Sequence, residues 1–194
     1  MAFALCIALY AVVMMNRLIE LKGVDHLWLI MLLKDNSFID IIKYVPMAVG
    51  VAIGVAQMVP EMSQKRLKLT LHLPYPQRGL VWLMLGTGMA EISVIFLLQA
   101  LIIAVYDFTI LPVELVSRVM ISTLPWYFAG FTAYLFTTAI CLEGTWVRRI
   151  LLTLIGIAVL MIYFLQPAPE AYTGMMPLII VTTALLAVLS FGSI

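Results

Sequence analysis

Glu91 is the one acid set deep inside an apolar run. It follows Leu80 by about 11 residues, or ~16 Å of helix rise, which is near the middle of a bilayer. An ionisable group at that depth points to a proton or substrate contact. The other reading is a hydrogen-bonded glutamate facing neighbouring helices, with Gln57 and Gln99 as partners. Little else in the chain has spacing that chemistry needs. There is no His-Glu-x-x-His, Gly-x-Ser-x-Gly, P-loop or EF-hand pattern. Cys6 and Cys141 sit in apolar runs without metal-ligand spacing and read as small packing residues. The thirteen methionines are scattered along apolar segments, which suits gap-filling rather than a soft-metal path. Gly86-Thr-Gly88 lacks the third glycine of a nucleotide fingerprint and reads as close helix packing. The expectation is a chain with no catalytic constellation, no bound metal and no cofactor of its own.

The second feature that can do chemistry is cationic. Residues 60–78 hold four of the eleven basic residues, Lys65, Arg66, Lys68 and Arg78, between two long apolar runs. Leu67-Lys-Leu-Thr-Leu-His-Leu73 alternates with period two, as a strand would. A lone strand at a membrane surface leaves its backbone groups unpaired, so a helix is preferred, ended by Pro74 and Pro76. Two roles stand: docking a soluble partner, or anchoring on anionic lipid.

The elements that must position these residues follow from composition. Of 194 residues, 64% are hydrophobic and 11% charged, and mean hydropathy is +1.13. A soluble domain carries about 25% charged residues, so the chain reads as an integral membrane protein. A net charge of +1 excludes nucleic-acid binding driven by bulk charge. No secretory signal peptide is expected, because no basic residue precedes the apolar stretch 2–15 and no small-x-small site follows it. That stretch is short for a span. Either residues 16–21 extend it, or the natural N-terminus lies upstream.

Hydropathy and helix breakers give an all-α bundle of six spans, at about 2–18, 41–59, 80–106, 119–142, 150–165 and 173–194. Residues 16–40 suggest a short interfacial helix anchored by Trp28. Ser37 and Asp40 resemble a capping box that starts a helix at Phe38, and Pro46 would kink that helix. Pro60 bounds the second span and opens a new helix in the 60–79 connection. Gly50 and Gly54, interleaved with Ala48, Ala52 and Ala56, give the second span a small-residue face for close helix approach. Residues 61–79 and 143–149 together carry six cations against Glu61 and Glu143. The opposite side carries five cations (Arg17, Lys22, Lys34, Lys43 and Arg118) against seven acids, Asp107 among them. The positive-inside rule then places 61–79, 143–149 and both termini in the cytoplasm. His26 and His72 fall on opposite sides and share no metal.

Glu61-Met-Ser-Gln-Lys-Arg-Leu-Lys-Leu-Thr-Leu-His-Leu-Pro74, directly after the second span, resembles the signature of type-2 exporter ABC transporter permeases. In that family an acid leads, basic residues follow, and a leucine-rich stretch closes in Leu-Pro before the third span. Glu61, Lys65, Arg66, Leu73 and Pro74 occupy those positions, while Lys65-Arg66 stands where the family has Gly-Thr. The resemblance implies a permease subunit of the inner (cytoplasmic) membrane, paired with a second permease half. It implies cytoplasmic ABC ATPase subunits that bind the ATP-Mg, with 61–74 as the coupling segment that meets them. Surrounding lipids and a hydrophobic or amphipathic substrate complete the expectation. The alternative class is a membrane-embedded enzyme, or a structural subunit without an ATPase.

Overall fold

The computed structural model describes residues 6, 9–10, 12–14, 16–17, 20, 43–63, 77–110, 113–165 and 174–192. Five helices are defined in full: α1 Val45–Ser63, α2 Gln77–Ile110, α3 Val113–Leu142, α4 Trp146–Phe164 and α5 Met176–Gly192. The described residues between 6 and 20 are helical too, and no strand occurs among the described residues. Three stretches are long and apolar enough to cross a membrane: Val81–Thr109, Val119–Leu142 and Trp146–Phe164. Val45–Pro60 and Met176–Leu185 are shorter apolar helices. The chain is therefore an all-α membrane protein. Helices suit these sequences because each one satisfies its own backbone hydrogen bonds where no water can.

The other four defined helices all pack on α3. Its apolar window is 61% buried inside the protein, against 11% for α4, so α3 is the central post and α4 an outer stave. α1 and α3 run parallel, since Gly50 meets Gly130 and, one turn further on, Gly54 meets Thr137. The first contact is backbone on backbone: a β-carbon on Gly50 would run into the Gly130 carbonyl. α2 is antiparallel to α3. Its Gly88 lies at Tyr134, whereas Phe96 packs on Tyr127 and Phe131 with ring centroids 5.2 and 5.3 Å apart. α4 is also antiparallel to α3, with Gly156 against Phe136 and Tyr163 bonded to Thr132 at 3.2 Å. α5 joins through Ile179, which clusters with Ala129 and Tyr163.

Two prolines behave differently from the sequence reading. Residues 43–44 form a turn and α1 begins at Val45. Pro46 therefore sits in the first turn, where a missing N–H is harmless, and does not kink a helix already under way. Pro60 does not end the second apolar segment either: α1 runs through it to Ser63. A proline ring in the last turn removes one ladder bond, a small loss when most of the helix lies behind it. Pro125, by contrast, stands in the interior of α3, where it removes a ladder bond in mid-helix. The expected interfacial helix around Trp28 and the capping pair Ser37 and Asp40 lie outside the described residues.

The glycine crossing gives the first prediction. Even a methyl at Gly130 would sit 2.5 Å from the Phe96 ring and 2.7 Å from the Pro46 carbonyl. Gly130→Val should cost about 1–3 kcal/mol by overpacking. Gly86→Ala, in open space, should change stability little or raise it by up to roughly 1 kcal/mol. Thermal unfolding in detergent checks both, and equal losses at the two positions would refute the crossing.

Candidate functional site

Polar side chains of α1, α2 and α3 meet at one level of the bundle. Tyr134 of α3 donates its hydroxyl proton to Gln57 Oε1 of α1 at 2.8 Å, with the Leu85 carbonyl of α2 at 3.3 Å. Gln57 Nε2 donates to the Met84 carbonyl at 2.7 Å and lies 3.5 Å from Thr87 Oγ1. A carbonyl only accepts and the Tyr134 hydroxyl here donates, so the two ends of the Gln57 amide have assigned roles. One side chain thus ties three helices. Gly88 makes the tie reachable, because a β-carbon there would occupy the space of the Tyr134 hydroxyl and Gln57 Oε1.

Glu91 lies one turn beyond Thr87 on α2. It shares a cavity of about 300 Å³ with Ile53, Ala56 and Gln57. The structure therefore brings Gln57 and Glu91 to one site. Gln57, though, spends its polar atoms on Tyr134 and Met84 rather than on Glu91, whose side chain is exposed at the protein surface. Gln99 is not part of this group. It stands eight residues further along α2, ~12 Å of rise, wholly buried, and neither of its side-chain polar atoms has a hydrogen-bond partner among the described residues.

Asp107 corrects the loop-charge reading. It is in the last turn of α2, 1% exposed, and its Oδ2 has no hydrogen-bond partner among the described residues. An unpaired buried polar group costs about 1–3 kcal/mol. Buried Ile92, Ile95, Phe96 and Ile103 are interleaved with Gln99 and Asp107 along the same helix. Tyr106, the preceding residue, donates to Asn16 Oδ1 at 3.2 Å and fastens this end of α2 to the N-terminal helical residues.

The connections at the other end of the bundle form the second candidate region. Parallel α1 and α3 bring their C-terminal ends together with the start of α4. Val59 and Met62 of α1 and Ile140 and Cys141 of α3 face Trp146, Arg149 and Ile150 of α4 around one groove of about 730 Å³. The α3–α4 turn is fastened by Glu143, which is 8% exposed. Arg149 Nε donates to its carbonyl at 2.6 Å, and Thr145 donates its hydroxyl to Oε1 at 3.2 Å. Arg149 also lies over the Trp146 ring at 5.4 Å. Arg148 is 3.9 Å from Glu143 Oε1 but 63% exposed, so that pair contributes little. Glu61 is in the last turn of α1. Lys65, Arg66, Leu73 and Pro74 lie outside the described residues. No group of three or more metal-ligating side chains occurs among the described residues.

No family model, curated protein or solved structure matches the chain.

Sequence reasoning found Gln57 and Glu91 but missed Tyr134 and the α3–α4 fastening. Tyr134 is one aromatic among many in an apolar run, and only the crossing at Gly88 singles it out. Its bond to Gln57 yields a second prediction. In a double-mutant cycle of Gln57→Leu and Tyr134→Phe, the coupling should be about 0.6 kcal/mol and no more than roughly 1.7, the range for bonds between membrane helices. Reversible unfolding in bicelles measures it, and zero coupling would mean that the bond holds nothing.

Proposed function

We propose that the chain is the membrane-spanning permease subunit of an ATP-driven exporter of the type-2 ABC class, built as a six-span bundle. ATP is hydrolysed on separate cytoplasmic ATPase chains, and a second permease half completes the pathway. The chain lies in the cytoplasmic membrane with both termini and the 61–79 and 143–149 connections inside. Two things support this reading. One is the resemblance of Glu61–Pro74 to the family's coupling segment. The other, which carries it, is that α1 ends in the same groove as the α3–α4 turn. Both cationic connections thereby leave one end of the bundle, where a soluble motor can meet them together.

The mechanism follows from how α1 is held. ATP binding draws two ATPase chains together, and the segments 61–74 move with them. Because α1 is one helix through Pro60 to Ser63, displacement at its end acts along its whole length. The backbone contact of Gly50 with Gly130 makes α3 follow. The rocking of these helices switches the pathway between inward- and outward-facing states. The nucleotide shifts that equilibrium only through contacts that differ between the states, and the coupling segment supplies them. The apolar character of the spans favours a hydrophobic or amphipathic substrate.

Reversing charge with Lys65→Glu and Arg66→Glu together should lower recovery of a Walker A-containing chain with the tagged subunit by roughly ten-fold or more. ATP-dependent export should fall with it. The readout is pull-down from native membranes. Undiminished recovery with undiminished export would overturn the docking role.

A further inference from the structure

The groove at the α1–α3–α4 end has its own chemistry. Trp146, Arg149, Ile150, Thr153 and Leu154 recur at helical spacing, so one face of α4 forms a wall ~12 Å long. Val59 and Met62 of α1 form the facing wall. One end of the groove is cationic and aromatic; the rest is apolar. Arg149 is pre-positioned, with Nε held by the Glu143 carbonyl and its plane over Trp146. Its two terminal nitrogens have no hydrogen-bond partner among the described residues. Arg148 stands beside it, largely exposed.

We infer that this groove is a binding site for an anionic phospholipid. The phosphate lies at the Arg149 fork with Arg148 nearby, and an acyl chain runs along Ile150, Leu154 and Val59. A guanidinium fork matches a phosphate diester in shape and charge. The volume, about 730 Å³, falls within the range of small-molecule sites. Charge complementarity excludes the neighbouring link as occupant. Residues 64–76 carry Lys65, Arg66 and Lys68 and no acid, so lying against Arg148 and Arg149 would add repulsion. An anion relieves it. A lipid is favoured over a soluble anion because most of the groove is hydrocarbon and α4, its outer wall, is the least buried of the three candidate spans. The site is independent of what the protein transports.

Native mass spectrometry of the full chain, released from nanodiscs and titrated with phosphatidylglycerol, phosphatidylcholine or inorganic phosphate, tests this. Phosphatidylglycerol should bind roughly ten-fold more tightly than phosphatidylcholine, as a guanidinium fork held at the interface implies, and phosphate alone should not bind. Arg149→Gln should erase the headgroup preference. Thr153→Trp, which fills the groove and keeps both cations, should weaken phosphatidylglycerol binding by a similar factor. Equal affinity for the two lipids, a preference that survives Arg149→Gln, or phosphate binding as tightly as the lipid would each overturn the assignment.

Discussion

In hydrocarbon, helices gain nothing by hiding apolar surface from one another, because lipid tails are as apolar as leucine. What holds a bundle together there is close backbone approach and the few hydrogen bonds that cross it. Here the constraint is the contact of Gly50 with Gly130. It makes α1 and α3 parallel neighbours and sets their register. It lets Gln57 reach Tyr134 two turns further along. It also brings the end of α1 to the turn between α3 and α4, which assembles the groove of Val59, Met62, Trp146 and Arg149.

The remaining polar groups are economical. Thr123, Thr132, Thr137 and Thr138 on α3 each return their hydroxyl to a carbonyl three or four residues back. The central helix therefore carries hydroxyls without asking its neighbours for partners. Tyr134 and the Thr132–Tyr163 pair reach across to other helices. α2 is less self-sufficient. Gln99 and Asp107 Oδ2 are buried with no hydrogen-bond partner among the described residues, while Glu91 on the same helix opens to a cavity.

Much of this is legible in the sequence, but unevenly. Membrane class and the rough places of the apolar helices follow from composition and hydropathy, because a lipid-facing residue declares itself one position at a time. The small-residue face of Gly50 and Gly54 is visible for the same reason. Its partner is not: Gly130 lies 80 residues away in α3, flanked by Ala129 and Phe131, and nothing in local periodicity links the two. Tyr134 is hidden likewise. The prolines mislead in the other direction, because local rules place breaks at Pro46 and Pro60 while the position of each within α1 makes it tolerable. Asp107 reads as a loop charge because it falls just past the apolar span expected at 80–106, yet the helix continues and carries it inward.

The account depends on the two cationic connections sharing one face of the membrane, the cytoplasmic one. In a chain with Cys6 and Cys141 replaced by serine, Ser63→Cys and Thr145→Cys can each be challenged with a membrane-impermeant maleimide in intact cells. The account predicts that neither thiol reacts until the cells are permeabilised, and that both then react alike. Labelling of either thiol from outside, or of one without the other, would contradict it.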